Sequence, residues 1–128
     1  MINVICAIVF FENKILVTQR STIMKLPLKW EFPGGKQENN ETEIDCIKRE
    51  IKEEINIKIE IIKKLQNNIH DYGNFKINLI PYLAKYLSGE IILSEHIAYK
   101  LIDRSELIKL DWAEADIPIV TELIKLKL

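Results

Sequence analysis

Glu50, Glu53 and Glu54 bring three carboxylates within five residues of chain. At ~100° per residue, helix positions i, i+3 and i+4 share one face, so the three side chains point the same way. Two chemistries fit that arrangement. On an exposed helix, like charges cost only a few tenths of a kcal/mol, and the cluster is a solvated face. At a partly buried rim, two carboxylates ~6 Å apart repel by roughly 3 kcal/mol at an effective dielectric of ~20, and a divalent cation reverses the sign of that interaction. A hard ion such as Mg²⁺ keeps several waters, so carboxylates at this spacing can hold it without a dedicated cage.

The element that must carry these acids is written beside them. From Glu43 to Ile55, the residues Ile44, Ile47, Ile51 and Ile55 recur at steps of three and four. They predict an amphipathic helix docked by an isoleucine stripe, with the carboxylates on the adjoining face. Upstream, "NVICAIVFF" reads as a buried strand, "ENK" as a turn and "ILVTQR" as the returning strand. In "KLPLKWEFPGGK", Pro27, Pro33, Gly34 and Gly35 predict a loop around a short extended "WEF". Downstream, "NIKIEIIKKL" alternates as a strand, and "IHDYGNFKINLIPYLAKYL" predicts a hairpin around Gly73–Asn74, with Pro81 implying an edge strand or a bulge. "GEIIL" and "AYKLI" read as short strands. "DIPIVTELIKLKL" reads as a C-terminal helix with Asp116 as N-cap and Pro118 in its first turn. The order predicts an α+β domain, a mixed β-sheet with helices packed on it.

At 128 residues, with no repeat or Pro/Gly-rich linker, the chain is expected to form one domain over 1–128. A net charge of −1 leaves no bulk basic field to attract a nucleic acid polymer, so local charge or bound metal must attract any polyanionic ligand. No apolar run approaches the ~20 residues of a membrane span, and the start does not read as a signal peptide. Cys6 and Cys46 lack the spacing of a zinc site or a disulfide framework, so a reduced, cytoplasmic location is expected. His70 and His96 likewise lack ligand spacing and are expected in a loop or pocket.

Gly35, five residues, Glu41, seven residues, Arg49-Glu50, Ile51, one residue, Glu53-Glu54, one residue, Asn56 and Ile57 resemble the Nudix box. The likeness holds at every signature position except Asn56, where that pattern has glycine. A glycine following a helix supplies a left-handed residue, and Asn is the next most tolerant residue there, so Asn56 is expected to cost stability rather than chemistry. The resemblance implies the Nudix fold, a mixed β-sheet sandwiched between helices. It also implies metal-dependent hydrolysis of a nucleoside diphosphate linked to another group, with Mg²⁺ as the cofactor and Mn²⁺ as a substitute. By the same likeness Glu50, Glu53 and Glu54 are metal ligands, joined by the Gly34 carbonyl and by Glu95. Arg49 orients the glutamates, Glu41 braces the helix start, and either Glu53 or Glu95 is the general base.

Beyond the box, "VTQR", "WEFPGGK" and "LDWAEADIPIV" look like the MutT and CTP pyrophosphohydrolase branch. That likeness implies cleavage of a nucleoside triphosphate to a monophosphate and pyrophosphate in nucleotide-pool sanitation, with 8-oxo-dGTP or CTP and modified dCTP as substrate. Arg20 and Lys36 then meet the triphosphate, Phe32 lines the base pocket and Asp116 reads the base edge. An ionised Asp116 offers only acceptors and suits guanine, whereas a two-point contact with cytosine needs a protonated one. The "ADIP" run nevertheless looks more like the CTP-preferring relatives, and both bases stay open. A monomer or homodimer is expected. Alternatives are hydrolysis of a dinucleoside polyphosphate or ADP-ribose, and a non-catalytic nucleotide sensor.

Overall fold

The computed structural model describes residues 1–127. Its first strand, β1 (Ile2–Phe11), is apolar on both faces. Ile5, Ala7 and Val9 face one core cluster, while Cys6 and Ile8 face the other. A strand buried on both sides must sit mid-sheet. Accordingly β1 lies between β2 (Lys14–Gln19) and β7 (Lys76–Ser88), antiparallel to β2 and parallel to β7. The sheet path runs β3 (Trp30–Glu31), β2, β1, β7, β5 (Lys58–Lys64). Three strands pair off this path: β4 (Gly34–Lys36) on β1, β6 (Asn68–Asp71) on β7, and β8 (Ala98–Ile102) on β2. One face carries α1 (Glu43–Ile55); the other packs against α2 (Ile117–Lys125) and the 3₁₀ turn Arg104–Lys109. The mixed sheet between helices is the expected α+β architecture.

Helix α1 keeps its predicted bounds. Thr42 caps it, its side chain accepting from the Asp45 N–H at 3.1 Å. The buried stripe is Cys46, Ile47, Ile51 and Ile55; Ile44 is 40% exposed, so the first member of the expected stripe belongs to solvent. Asn56 ends the helix in the left-handed region at φ 68°, ψ 27°. Its amide donates to the Glu90 carbonyl at 3.2 Å, and its Oδ1 accepts from Lys52 Nζ at 3.2 Å. These contacts offset the cost of the missing glycine. Asn56→Gly is therefore expected to shift urea-denaturation stability by less than about 1 kcal/mol, while Asn56→Val lowers it by about 1–2 kcal/mol or more.

Four sequence readings need correction. "PGGK" is not all loop, because Gly34–Lys36 pairs antiparallel with Val4–Cys6. "GEIIL" is not a strand; it runs over the end of α1, with Ile92 N–H donating to the Ile55 carbonyl at 2.9 Å and Ser94 N–H to the Glu54 carbonyl at 3.0 Å. Pro81 lies in the middle of β7 rather than on an edge. Its carbonyl accepts from the Leu65 N–H at 2.9 Å, at the seam where pairing with β5 stops and pairing with β6 starts, and there a missing donor is tolerated. Asp116 takes the expected N-cap position but does not cap: its side chain makes no capping bond, and Ile117–Lys125 is entered through a 3₁₀ turn, Glu114–Asp116. The last residue of the expected helix, Leu128, lies outside the described residues. The hairpin turns at Gly73, φ 97°, as its sequence predicts.

Candidate active site

Between the open edge of β4, the 20–29 loop and the β6–β7 hairpin lies a cleft of about 370 Å³. Gly34, Gly35, Glu54 and Glu95 are among its lining residues. Arg20, Phe32 and Asp116 line the same cleft, as does the exposed Lys36. These eight residues, all singled out in the sequence, thus meet in one cavity. Glu50, Glu53 and Arg49 stand behind it on α1.

The two glycines serve different needs. A Cβ on Gly34 would lie 2.0 Å from the Ile5 carbonyl oxygen, so the β1–β4 pairing itself excludes a side chain. A Cβ on Gly35 would lie 2.2 Å from the Glu50 carboxylate, which occupies that space instead. Glu50 is 14% exposed and is gripped by Arg49 Nη1 at 2.9 Å. The same guanidinium binds Glu41 at 2.6 and 3.0 Å and Glu53 at 3.1 Å. Hydrogen bonds from Arg49, then from the Glu38 N–H, hold the Glu41 carboxyl down at about 2. Glu41 therefore stays a firm anion that fixes Arg49, and Arg49 fixes two of the helix glutamates.

Glu54 differs from its neighbours. Burial, then a hydrogen bond and like charge from Glu50, with Glu31 and Glu95 adding to it, push its carboxyl up to about 9. The folded protein has gathered more carboxylates here than it can leave ionised unaided. An all-oxygen, net-negative donor set suits a hard divalent cation. Among the described residues, no three potential ligand side chains already converge on one point. Arg49 holds Glu50 and Glu53, and Glu53 is 58% exposed on the outer side of the helix.

In the same cleft Asp116 is 5% exposed and accepts the Phe32 N–H at 2.9 Å. Burial foremost, and the Glu31 charge next, raise its carboxyl well above the usual range despite that bond and Arg20. Phe32 is 3% exposed and packs on Trp112 with ring centroids 4.7 Å apart, so it belongs to the core and the cleft wall at once. Arg20 pairs with Glu31 at 2.9 Å. The opposite wall is aromatic: Tyr72 accepts the Ala115 N–H through its hydroxyl at 2.9 Å and stacks on Phe75 at 5.0 Å. Sequence reasoning missed Glu31 and Tyr72; His96 lies in the pocket as expected, but its 2.8 Å bond to Glu31 and its burial were not foreseen. The available signals were adjacency alone, Glu31 beside "FPGGK" and His96 beside Glu95. His70 pairs with Glu114 at 3.1 Å.

A mixed sheet between helices, with a glycine strand feeding a helix of carboxylates, defines a class of hydrolase as well as a fold. The chain belongs to the Nudix family: the profile described as NUDIX domain matches residues 1–123, and the protein is a Nudix hydrolase. It is 28% identical over 127 residues to the CTP pyrophosphohydrolase of Escherichia coli K12, covering 99% of this chain and 94% of that one. It is 30% identical over 124 residues to the 8-oxo-dGTP diphosphatase of Buchnera aphidicola subsp. Schizaphis graminum, covering 97% and 94%. The solution structure described as DNA mismatch repair protein MutT, of the Nudix hydrolase family, from methicillin-resistant Staphylococcus aureus 252 superposes with a TM-score of 0.77 at 44% identity, covering 96% of this chain and 95% of that one. Nudix hydrolases work with a divalent metal and a nucleotide substrate. No described helix is long and apolar enough to cross a membrane.

Proposed function

We propose that this single-domain protein hydrolyses a nucleoside triphosphate to the monophosphate and pyrophosphate, with water attacking and the bond between the α and β phosphates breaking. The reading rests on one observation: Glu54, Glu95 and Asp116 line a single cleft, so acids suited to a metal and a group suited to a base edge share one cavity. Glu50, Glu53, Glu54, Glu95 and the Gly34 carbonyl are the proposed ligands of Mg²⁺, or of Mn²⁺ in its place. What the bound ion supplies is charge against the phosphate oxygens and a lowered pKa for the attacking water. Arg49 keeps Glu50 and Glu53 in place. Between the two candidates for general base, Glu95 is favoured. Glu53 is tied to Arg49, whereas no hydrogen bond or ion pair among the described residues engages the Glu95 side chain within the cleft. Lys36 and Arg20 meet the triphosphate as the local positive charge of a near-neutral protein.

Asp116 bears on the base. Burial raises its carboxyl well above the usual range and so favours the protonated form, a donor as well as an acceptor, which eases a two-point contact with cytosine. The preferred substrate is therefore CTP or a modified dCTP. The relatives named 8-oxo-dGTP diphosphatases favour a second reading, 8-oxo-dGTP. A comparison of kcat/KM for CTP, 5-methyl-dCTP, dGTP, 8-oxo-dGTP and ADP-ribose with Mg²⁺ decides. The cytosine nucleotides are expected to lead; Asp116→Asn, which like the protonated acid offers a donor and an acceptor, keeps that preference, and Asp116→Ala, which offers neither, lowers their kcat/KM by about tenfold or more. A preference for ADP-ribose would sink the assignment. We further propose a cytoplasmic monomer or homodimer with no nucleic acid polymer as partner.

A further inference from the structure

His96 is the feature the reading above leaves unused. Its side chain is 1% exposed and stands between two carboxylates, with Nε2 2.8 Å from Glu31 Oε2 and Nδ1 3.7 Å from Glu54 Oε2. Among the described residues only Ser21 Oγ and His96 Nδ1 are buried side-chain polar atoms without a hydrogen-bond partner. A buried donor or acceptor left unpaired is costly, so a histidine serving only as core filling should not keep one aimed at a carboxylate. The backbone on either side is pinned: Ser94 N–H donates to the Glu54 carbonyl and Ile97 N–H to the Gln19 carbonyl, both at 3.0 Å. The ring is thus hung between the end of α1 and β2. Behind it, Glu31 is held by Arg20 at 2.9 Å.

We propose that His96 is a positioning residue for Glu54: braced by Glu31 through Nε2, it presents Nδ1 to the Glu54 carboxyl and fixes that side chain's direction for the divalent cation. This rests on the proposed role of Glu54 as a metal ligand. A gap of 3.7 Å closes with a small turn of the carboxyl group. Toward an ionised, cation-holding Glu54, Nδ1 acts as the donor. A neutral ring accepts at Nδ1 from a Glu54 that keeps its proton, and a charged ring donates to one that has lost it. Supports of this kind, one step removed from the ion, typically change metal affinity by about 10–100-fold when removed.

The test is Mn²⁺ binding to the full chain without nucleotide, followed through the electron paramagnetic resonance signal of the free ion, in wild type, His96→Leu, His96→Gln and Glu54→Gln. His96→Leu is expected to weaken binding about 10–100-fold. His96→Gln, whose amide nitrogen carries two donors, restores it to within about threefold of wild type. A purely structural histidine would move the thermal midpoint and leave the Mn²⁺ affinity of the folded protein unchanged. If Glu54→Gln weakens binding and His96→Leu does not, or if His96→Gln fails to restore it, this inference falls alone. If Glu54→Gln binds Mn²⁺ as wild type does, the ligand role of Glu54 falls, and the inference with it. Should His96→Leu not fold, His96→Asn, too short to span both carboxylates, takes its place with the same expected loss.

Discussion

Alanine at position 35 is expected to remove most of the activity and leave the fold standing, while alanine at position 34 chiefly destabilises the fold. The two glycines are neighbours in one three-residue strand. The new methyl group at Gly35 meets the Glu50 carboxylate 2.2 Å away, and that is the far end of a flexible side chain. Glu50 turns aside, leaving the space and the geometry it holds against Arg49. A fall in kcat of about 10²–10³ is expected, the size seen when one preorganised charge-stabilising group is lost, with a thermal midpoint within a few degrees of wild type. At Gly34 the methyl group meets backbone: Ile5 O at 2.0 Å and Cys6 Cα at 2.6 Å. Neither can yield without opening β1, a strand with sheet neighbours on both sides. The expected cost is above about 3 kcal/mol, a large part of the 5–15 kcal/mol that holds such a domain together. That lowers the midpoint by about 10 °C or more. Activity assays and thermal melts on the two variants check the pair. Equal loss of stability in both would show that Gly35 is only another packing residue.

That contrast explains what was legible in the chain beforehand. Helix α1 was readable because its information is periodic and local: Ile47, Ile51 and Ile55 dock whatever lies across from them. The left-handed Asn56 was readable from helix-end geometry alone. "PGGK" was misjudged because glycine signals both a turn and a close approach, and only the partner strand tells which. In "GEIIL", apolar residues follow a glycine as in a strand. The stretch instead satisfies its backbone on the end of α1, a tertiary contact that overrides propensity. Asp116 stands where an N-cap belongs, yet its carboxylate bonds Phe32, 84 residues away in sequence. The Glu31–His96 pair spans 65 residues and leaves no periodic trace. What escaped the sequence is therefore the set of long-range polar contacts, and most of the site's electrostatics is made of them.

Those electrostatics predict the largest effect of a single conservative change. Glu54→Gln keeps the shape of the side chain and removes its charge. Under the proposed role, turnover with saturating Mg²⁺ falls by about a thousandfold, beyond the 10–100-fold typical of groups one step removed from a metal. Without metal the same substitution is expected to stabilise the protein. The sign follows from the raised pKa. An exposed Glu54 in the unfolded chain loses its proton near pH 4.5, whereas in the fold the carboxyl keeps it to about 9. Below pH 4.5 both states hold the proton and the pH-dependent difference between wild type and variant vanishes. Above it the unfolded state ionises first, so wild-type stability drops with rising pH until the folded carboxyl also titrates, near 9. The gap in favour of Glu54→Gln at pH 7 is roughly 3 kcal/mol. Adding Mg²⁺ turns the order round, because the ion binds the ionised wild-type cluster and stabilises only what it binds. Thermal melts of both proteins from pH 5 to 9, with chelator and then with Mg²⁺, read out the crossing. If the two proteins keep the same order in both conditions, the strain in this acidic cluster is not what draws the cation in.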